Sequence, residues 1–220
     1  MNYVQLVNAV LRRLRESEVT TVQGTGNINS YARLIGDYIN DAKEVVENSW
    51  TWSHLKQTLT VNSVVGTSDY ILPASGHKFN PEFAYNATYQ SEMLQQTRQW
   101  MTEQYAFSTP QAGPPEYFAY NGIDNDTDSV KISVYPQPDA VYAMKFYGAV
   151  RSGLLSADSD VILIPSRPVI LLATAMAMEE RGESGGQPSI NAYKIAESSL
   201  ADEIALDAAK QEELTTWYSV

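Results

Sequence analysis

The sequence contains no cysteine among its 220 residues and only two histidines, His54 and His77. The absence of cysteine excludes disulfide bonds and thiolate ligands for metals. Two histidines without cysteine do not make a standard zinc site unless carboxylates complete it. Neither histidine has a recognisable partner in the sequence, so we predict no metal and no cofactor.

Long hydrophobic runs are also missing. The longest mainly apolar stretch, residues 140–149, contains Lys145 and is much shorter than the roughly 20 residues of a membrane-spanning helix. The first six residues lack the basic and apolar regions of a signal peptide. These features predict a soluble protein that has no contact with a membrane.

Basic residues are scarce, and the net charge of −11 is unevenly distributed. Residues 1–51 carry −1, residues 52–150 carry −4 and residues 151–220 carry −6. DNA binding depends on basic side chains that neutralise the phosphates, so sequence-specific DNA binding is not expected of such a chain. An acidic surface would instead suit a passage through which DNA slides without adhering.

Helical periodicity is present at both ends of the chain. Apolar residues recur at three- and four-residue steps in residues 2–17 and from about residue 30 to Ser49, which predicts an αα-hairpin. Pro168 fits the first turn of a third helix that continues through residues 169–180 and whose apolar surface predicts burial. Pro188 and Ser189 begin a fourth helix, which we expect to reach about Glu213.

The middle of the chain has the period of two that is typical of strands. Short alternating segments near residues 55–61, 70–73, 83–89, 117–120, 130–134 and 142–148 are separated by turns, with a short helix at about residues 95–105. This spacing favours an antiparallel sheet or small barrel over βαβ units. We therefore predict an α+β protein in which residues 1–52 and 151–213 form a bundle of about four helices, with a β-rich domain inserted at residues 53–150.

Three motifs imitate functional sites but do not meet their requirements. Residues 182–186 match G-x-S-x-G, yet they follow a helix and no histidine comes later, whereas the nucleophile elbow follows a strand. Asp124, Asp126 and Asp128 resemble the start of an EF-hand loop, but Ser129 and Tyr135 occupy the positions of its glycine and glutamate. Residues 24–26 lack the Gly-Lys-Ser/Thr of a phosphate loop. We predict that residues 182–186 link two helices, that the three aspartates lie in a hairpin turn, and that residues 24–26 form a plain loop. No catalytic residues are predicted.

The order of two helices, a strand-rich insertion and two further helices resembles the head-to-tail adaptor (connector) proteins of tailed double-stranded DNA bacteriophages. This family includes tail tubular protein A of short-tailed phages. Five segments carry the resemblance: residues 49–53 (Ser-Trp-Thr-Trp-Ser), residues 70–73 (Tyr-Ile-Leu-Pro), residues 132–138 (Ile-Ser-Val-Tyr-Pro-Gln-Pro), residues 163–168 (Leu-Ile-Pro-Ser-Arg-Pro) and residues 173–182 (Ala-Thr-Ala-Met-Ala-Met-Glu-Glu-Arg-Gly).

The resemblance implies a structural protein of the virion that is assembled in the host cytoplasm and located at the head–tail junction. Family members form a homo-oligomeric ring, usually of twelve copies, between the portal protein and the tail or nozzle proteins. Genomic DNA passes through such a ring without sequence-specific binding. The helical part would form the ring, and Asp202, Glu203 and Asp207 of the last helix are candidates for outward carboxylates that face the DNA passage.

The tail of the chain, residues 214–220, contains two aromatic residues and no charged side chain. Aromatic anchors dominate the binding energy of many interfaces. We hypothesise that Leu214, Trp217, Tyr218 and Val220 dock on the portal. The alternatives are that this segment packs on its own helices or is disordered.

Two other functional classes remain open from sequence. The chain has 14 Tyr, 4 Trp and 5 Phe, and an aromatic face of the β insertion would suit a carbohydrate- or host-surface-binding module. Scattered carboxylates would suit a glycosidase only if two of them stood at a defined separation. The alternation of the aromatic residues along strands favours sheet core and subunit contacts.

Overall fold

The computed structural model describes residues 1–22, 30–76, 78–107, 109–182 and 187–211, with the backbone alone for residues 187 and 188. Within these ranges the chain forms five α-helices and eight strands, which confirms the predicted α+β class. The chain divides into two units. One consists of Met1–His54 with Ser152–Val220 and the other of Leu55–Arg151.

The helical unit contains four of the helices. They are α1 (Tyr3–Arg13), α2 (Ser30–Ser49), α4 (Ser166–Glu180) and α5 (Gln187–Ala208). Helix α1 begins with a capping box, in which the side chains of Asn2 and Gln5 each accept a hydrogen bond from the other's backbone N–H. The prediction that this helix reaches residue 17 is wrong, because Arg15 adopts a positive φ of 59° that interrupts the helical hydrogen bonds.

Helix α4 packs against α1, α2 and α5. Most of its apolar side chains are buried, including Val169, Ile170 and Ala173, because a helix without a strong polar face must be covered on most sides. This confirms the predicted burial of the segment. At its end, the Arg181 guanidinium donates to Glu16 (2.5 Å) and to the Tyr31 hydroxyl (2.7 Å), which joins α4 to the end of α1 and the start of α2.

The connecting segment, residues 152–165, leads into α4 and is fixed on one face of α2. Asn40 exchanges two hydrogen bonds with the backbone of Leu155. The Lys43 ammonium lies 3.0 Å from Glu47 and donates to the carbonyl of Ser152, whose hydroxyl donates to Glu47. Lys43 and Glu47 are both buried, so the ion pair is satisfied by the connecting segment and not by water.

The second unit is a sandwich of two four-stranded sheets. The first sheet has the order β1-β8-β3-β4 and the second the order β2-β7-β6-β5. The strands are β1 (Lys56–Asn62), β2 (Asp69–Ile71), β3 (Asn80–Asn86), β4 (Ser91–Glu92), β5 (Leu94–Gln95), β6 (Tyr117–Asp124), β7 (Ser129–Tyr135) and β8 (Ala143–Ala149). One core lies between the sheets and draws Phe146 and Met144 from the first and Ile132, Val134 and Phe118 from the second.

The strand pairs are antiparallel except β5 with β6, which are parallel. Helix α3 (Arg98–Ala106) lies between these two strands in the chain and supplies the crossover connection that parallel strands need. The expectation that the insertion lacks βαβ units is therefore wrong at this one place.

The two ends of the sandwich unit lie side by side. The backbone N–H of Val150 donates to the carbonyl of Leu55 at 2.9 Å, which extends the ladder of β1 and β8. The chain therefore enters and leaves the unit at the same end of the first sheet.

Candidate interaction surfaces

The structure places Asp207 inside the helical unit. Its side chain is 2% exposed and accepts hydrogen bonds from the Ser53 backbone N–H (2.9 Å) and hydroxyl (2.5 Å), the Trp50 indole (3.1 Å) and Gln211 (3.0 Å). The prediction that Asp207 points outward is wrong. Asp207 lies three helical turns after the buried Ala196 and so shares its face, and the surrounding donors make the buried carboxylate tolerable.

Burial alone would raise the pKa of Asp207. The hydrogen bonds from Ser53, and after them those from Gln211 and Trp50, nevertheless hold the pKa of this carboxyl below its ordinary value of 3.8. Asp207 is therefore ionised at neutral pH and fastens the end of α5 to the segment that follows α2.

Asp202 is exposed and Glu203 is half-buried on α5. The structure does not bring them together with Asp207 in one acidic surface, because Asp207 lies on the buried face. Whether Asp202 and Glu203 face a DNA passage stays a prediction.

The four predicted docking residues, Leu214, Trp217, Tyr218 and Val220, lie outside the described part of the chain. The same holds for His77, residues 24–26 and residues 183–186 of the G-x-S-x-G match. The last described residue is Gln211, whose side chain donates to the carbonyl of Thr51 at 2.8 Å.

The exposed apolar side chains of the helical unit include two groups that are suited to contacts between proteins. On α5, Ile195 and Leu206 are 56% and 62% exposed. They lie 11 residues apart, close to three turns, and therefore on one stripe. The second group lies on the connecting segment, where a groove of about 270 Å³ is flanked by the exposed side chains of Leu154, Val161 and Leu163.

The outer face of the first sheet carries an aromatic group. Phe83 stacks on Tyr85 with ring centroids 5.6 Å apart, Tyr147 is paired with Phe83 across the strands, and the Lys145 ammonium lies 5.8 Å from the Tyr85 ring centre. A register shift between Pro81 and Phe83 turns these rings outward and places Ala84 in the core. Alternation alone did not indicate which face of β3 is buried.

A cleft of about 310 Å³ lies between α3 and the second sheet. Asp69 in its wall accepts hydrogen bonds from Ser133 (2.5 Å) and Asn121 (3.0 Å). The Tyr105 hydroxyl donates to the carbonyl of Val134, and burial raises the pKa of Tyr105 to about 12. Tyr105 is thus a neutral hydrogen-bond donor at physiological pH, and both Tyr105 and Asp69 have hydrogen-bond partners within the protein.

The predicted hairpin turn is confirmed at residues 125–128, between β6 and β7. Asp124 accepts from Thr127 and lies 2.9 Å from the Lys131 ammonium, and hydrogen bonds from Lys131 and Thr127 lower the pKa of Asp124. Among the residues that the structure describes, no three His, Asp or Glu side chains are grouped so as to hold a metal ion. None of the described helices combines the length and hydropathy needed to span a membrane.

Comparison with known families decides between the functional classes left open above. Residues 1–217 match the model of the SU10 adaptor protein family. The chain belongs to the SU10 adaptor protein family. No curated protein gives a significant match.

Membership of this phage adaptor family makes the chain a structural component of a bacteriophage particle that interacts with other head or tail components. The family is consistent with the prediction that the chain is not an enzyme. The exposed surfaces described above are the parts of an adaptor through which such contacts can be made.

Proposed function

We propose that this SU10-family adaptor joins the phage head to the tail as a ring, of twelve copies, that contacts the portal protein on one side and tail or nozzle proteins on the other. The match of residues 1–217 to the family carries the proposal. In this arrangement the helical unit is a bundle that forms the ring wall, and the sandwich unit makes the tail-side contacts.

Two groups of exposed apolar side chains on the helical unit support a ring. A ring requires a heterologous contact, in which two different patches of each subunit meet. The stripe of Ile195 and Leu206 on α5 is one such patch, and the groove beside Leu154 and Val161 is the other. Their burial between neighbouring subunits would remove exposed apolar surface from water.

The charge of the chain supports a DNA passage. Residues 151–220 carry five basic and eleven acidic residues, and a lumen of this sign repels the phosphates of the genome. Asp202 and Glu203 are the proposed lumen-facing carboxylates. Asp207 is withdrawn from this set because it is buried.

Co-assembly with the portal protein tests the proposed function. The purified chain mixed with portal rings should give a complex that contains twelve adaptors, measured by native mass spectrometry. A monomer in the absence of the portal is compatible with the proposal, because the portal can template the ring. Failure to bind the portal ring would contradict it.

The docking role of the tail has its own experiment. Deletion of residues 214–220 should abolish co-assembly with the portal while the thermal unfolding of the chain stays unchanged. Replacement of Trp217 and Tyr218 by alanine should have the same effect, and Ser219→Ala serves as the matched control. Unchanged assembly of the deleted chain would refute docking by the tail and leave the ring itself open to the first test.

A further inference from the structure

Strand β1 forms an open edge of the first sheet. Its single neighbour among the described strands is β8. The other sheet edges are formed by β4 and β5, with two residues each, and β2, with three. With seven residues, β1 is long enough to pair with a further strand, since strands of five or six residues are typical.

The register shows which backbone groups of β1 point toward β8. Val150 donates to the carbonyl of Leu55 and Ser63 donates to the carbonyl of Tyr142, each at 2.9 Å. In an antiparallel ladder, residues alternate between those that exchange hydrogen bonds with the partner and those that do not. The odd-numbered residues of β1 therefore bond to β8, and the even-numbered residues direct their N–H and C=O groups to the open edge.

Thr58, Thr60 and Asn62 consequently present three donors and three acceptors along one line. All three residues are exposed, and none of their backbone groups is hydrogen-bonded to a described residue. Unpaired backbone groups in a row form a template for another strand.

Features that commonly protect sheet edges are absent from β1. It contains no proline and its register with β8 is continuous, whereas the register shifts lie in β3 and β6. Its one lysine, Lys56, forms an ion pair of 2.9 Å with Glu82 of β3. The strand thus lacks the bulges, prolines and outward charges that prevent pairing.

Apolar side chains continue the edge beyond the end of β1. Val64 and Val65 are 59% and 60% exposed, and Val141, on the loop that enters β8, is 64% exposed. The loops are joined by hydrogen bonds from Ser63 to the carbonyls of Tyr142 and Ala140. A strand that ran along β1 would therefore reach an apolar surface on which its own apolar side chain is buried.

We propose that β1 binds an extended segment of another protein of the phage particle, which adds a strand to the first sheet and buries an apolar side chain against Val64 and Val65. The segment is neutral or basic, because residues 55–151 contain six basic and nine acidic residues. A second copy of the chain is a less suitable partner, because its own sandwich unit carries the same net negative charge. Pairing between two β1 strands would also be symmetric, so it would stop at a dimer.

This inference rests on the family's structural role and is independent of ring number and of portal binding.

Amide hydrogen exchange tests the proposal by comparing the purified chain with the chain in assembled particles. In the purified chain, the amides of Thr58, Thr60 and Asn62 should exchange fast and those of Leu59 and Val61 slowly. In particles the first three should become at least about tenfold slower.

Two results would overturn the proposal. The three amides would remain fast in particles if no strand binds there. If they became protected in the concentrated purified chain as well, the occupant would be a second copy. Portal co-assembly of the unaltered chain is measured separately. A failure of strand binding at β1 can therefore be distinguished from a failure of the proposed function.

Substitution of the edge gives an independent test. Thr60→Pro removes a donor that points away from β8, a position at which an edge strand tolerates proline. Incorporation into particles should fall at least about tenfold relative to Thr60→Ala, which keeps the backbone donor. Equal incorporation of a folded Thr60→Pro chain would contradict the proposal.

A loop variant covers the case in which Thr60→Pro does not fold. Val65→Asp changes an exposed loop residue, and Ile123→Asp is its matched control on β6, where Ile123 is 46% exposed. Val65→Asp should reduce incorporation and Ile123→Asp should not. Equal incorporation of both variants would contradict the contact at Val65.

Discussion

At the scale of single residues, Asp207 is a carboxylate that is buried within the helical unit. A buried carboxylate is stable only if hydrogen bonds replace its water, and here the donors come from Trp50, Ser53 and Gln211. The residue therefore fixes the C-terminal end of α5.

We predict that Asp207→Asn lowers the free energy of unfolding by about 2–3 kcal/mol, because hydrogen bonds to a charged acceptor are replaced by weaker or mismatched ones. Denaturant unfolding at pH 7 measures the change. Asp202→Asn is the matched control on the exposed face and should remain within about 0.5 kcal/mol of the unaltered chain. Equal effects of the two substitutions would show that the hydrogen bonds of Asp207 add little.

The same residue predicts a pH dependence. The pKa of Asp207 is lower in the folded chain than its ordinary value of 3.8, so its stabilisation is fully present above that value and is lost as the pH falls through the folded pKa. The stability difference between the unaltered chain and Asp207→Asn should therefore still be present at pH 5 and should shrink below about pH 4. A difference that grew with acidification would have the wrong sign.

At the scale of elements, α1 and α2 approach each other at Gly36. A Cβ atom at this position would overlap the hydroxyl of Tyr3 and lie 3.2 Å from Val22 Cγ1. The close contact depends on the missing side chain, although glycine within a helix is intrinsically unfavourable.

Gly36→Ala should destabilise the chain despite the better helix propensity of alanine. Overpacking costs about 1–3 kcal/mol, which exceeds the gain of about 1 kcal/mol from replacing glycine in a helix. A thermodynamic cycle with Tyr3→Phe measures the coupling, because removal of the Tyr3 oxygen should relieve part of the overlap. Additive effects of the two substitutions would contradict this account.

Sequence periodicity predicted the elements whose two faces differ in polarity, and residue composition predicted those that are apolar on most sides or that contain clear turn residues. The long helices α2 and α4 and the hairpin of β6 and β7 were recognised, because apolar spacing and turn residues there agree with the final packing. The face of β3 was not, since a register shift after Pro81 reverses which residues are buried. The burial of Asp207 also escaped prediction because two of its donor residues, Trp50 and Ser53, lie more than 150 positions earlier.

The interaction surfaces were harder to predict from the sequence than the fold. The exposed stripe of Ile195 and Leu206 consists of the same residue types as a core, and only the packing of α5 on α4 distinguishes the two faces. The open edge of β1 depends on strand order, which periodicity does not determine.

At the scale of the whole molecule, the sandwich unit is continuous in sequence and has its own core. A continuous segment with a core of its own is expected to fold alone. We predict that a fragment of residues 55–151 unfolds cooperatively, as measured by circular dichroism during heating.

Phe146→Ala provides the control for this fragment. Phe146 is fully buried, and its truncation should cost about 3–5 kcal/mol, which should strongly lower the midpoint of the thermal transition or abolish it. A fragment without a cooperative transition, or one indifferent to Phe146→Ala, would contradict independent folding.

The hydrogen bond between Leu55 and Val150 also bears on the order in which the chain folds during synthesis. Helices α1 and α2 emerge from the ribosome long before α4, against which they pack, and must wait for it. The sandwich unit is complete in the meantime, and its folding brings the flanking segments together. A loop of nearly one hundred flexible residues is thereby replaced by a gap of a few residues, which lowers the entropic cost of closing the helical unit by about 3 kcal/mol.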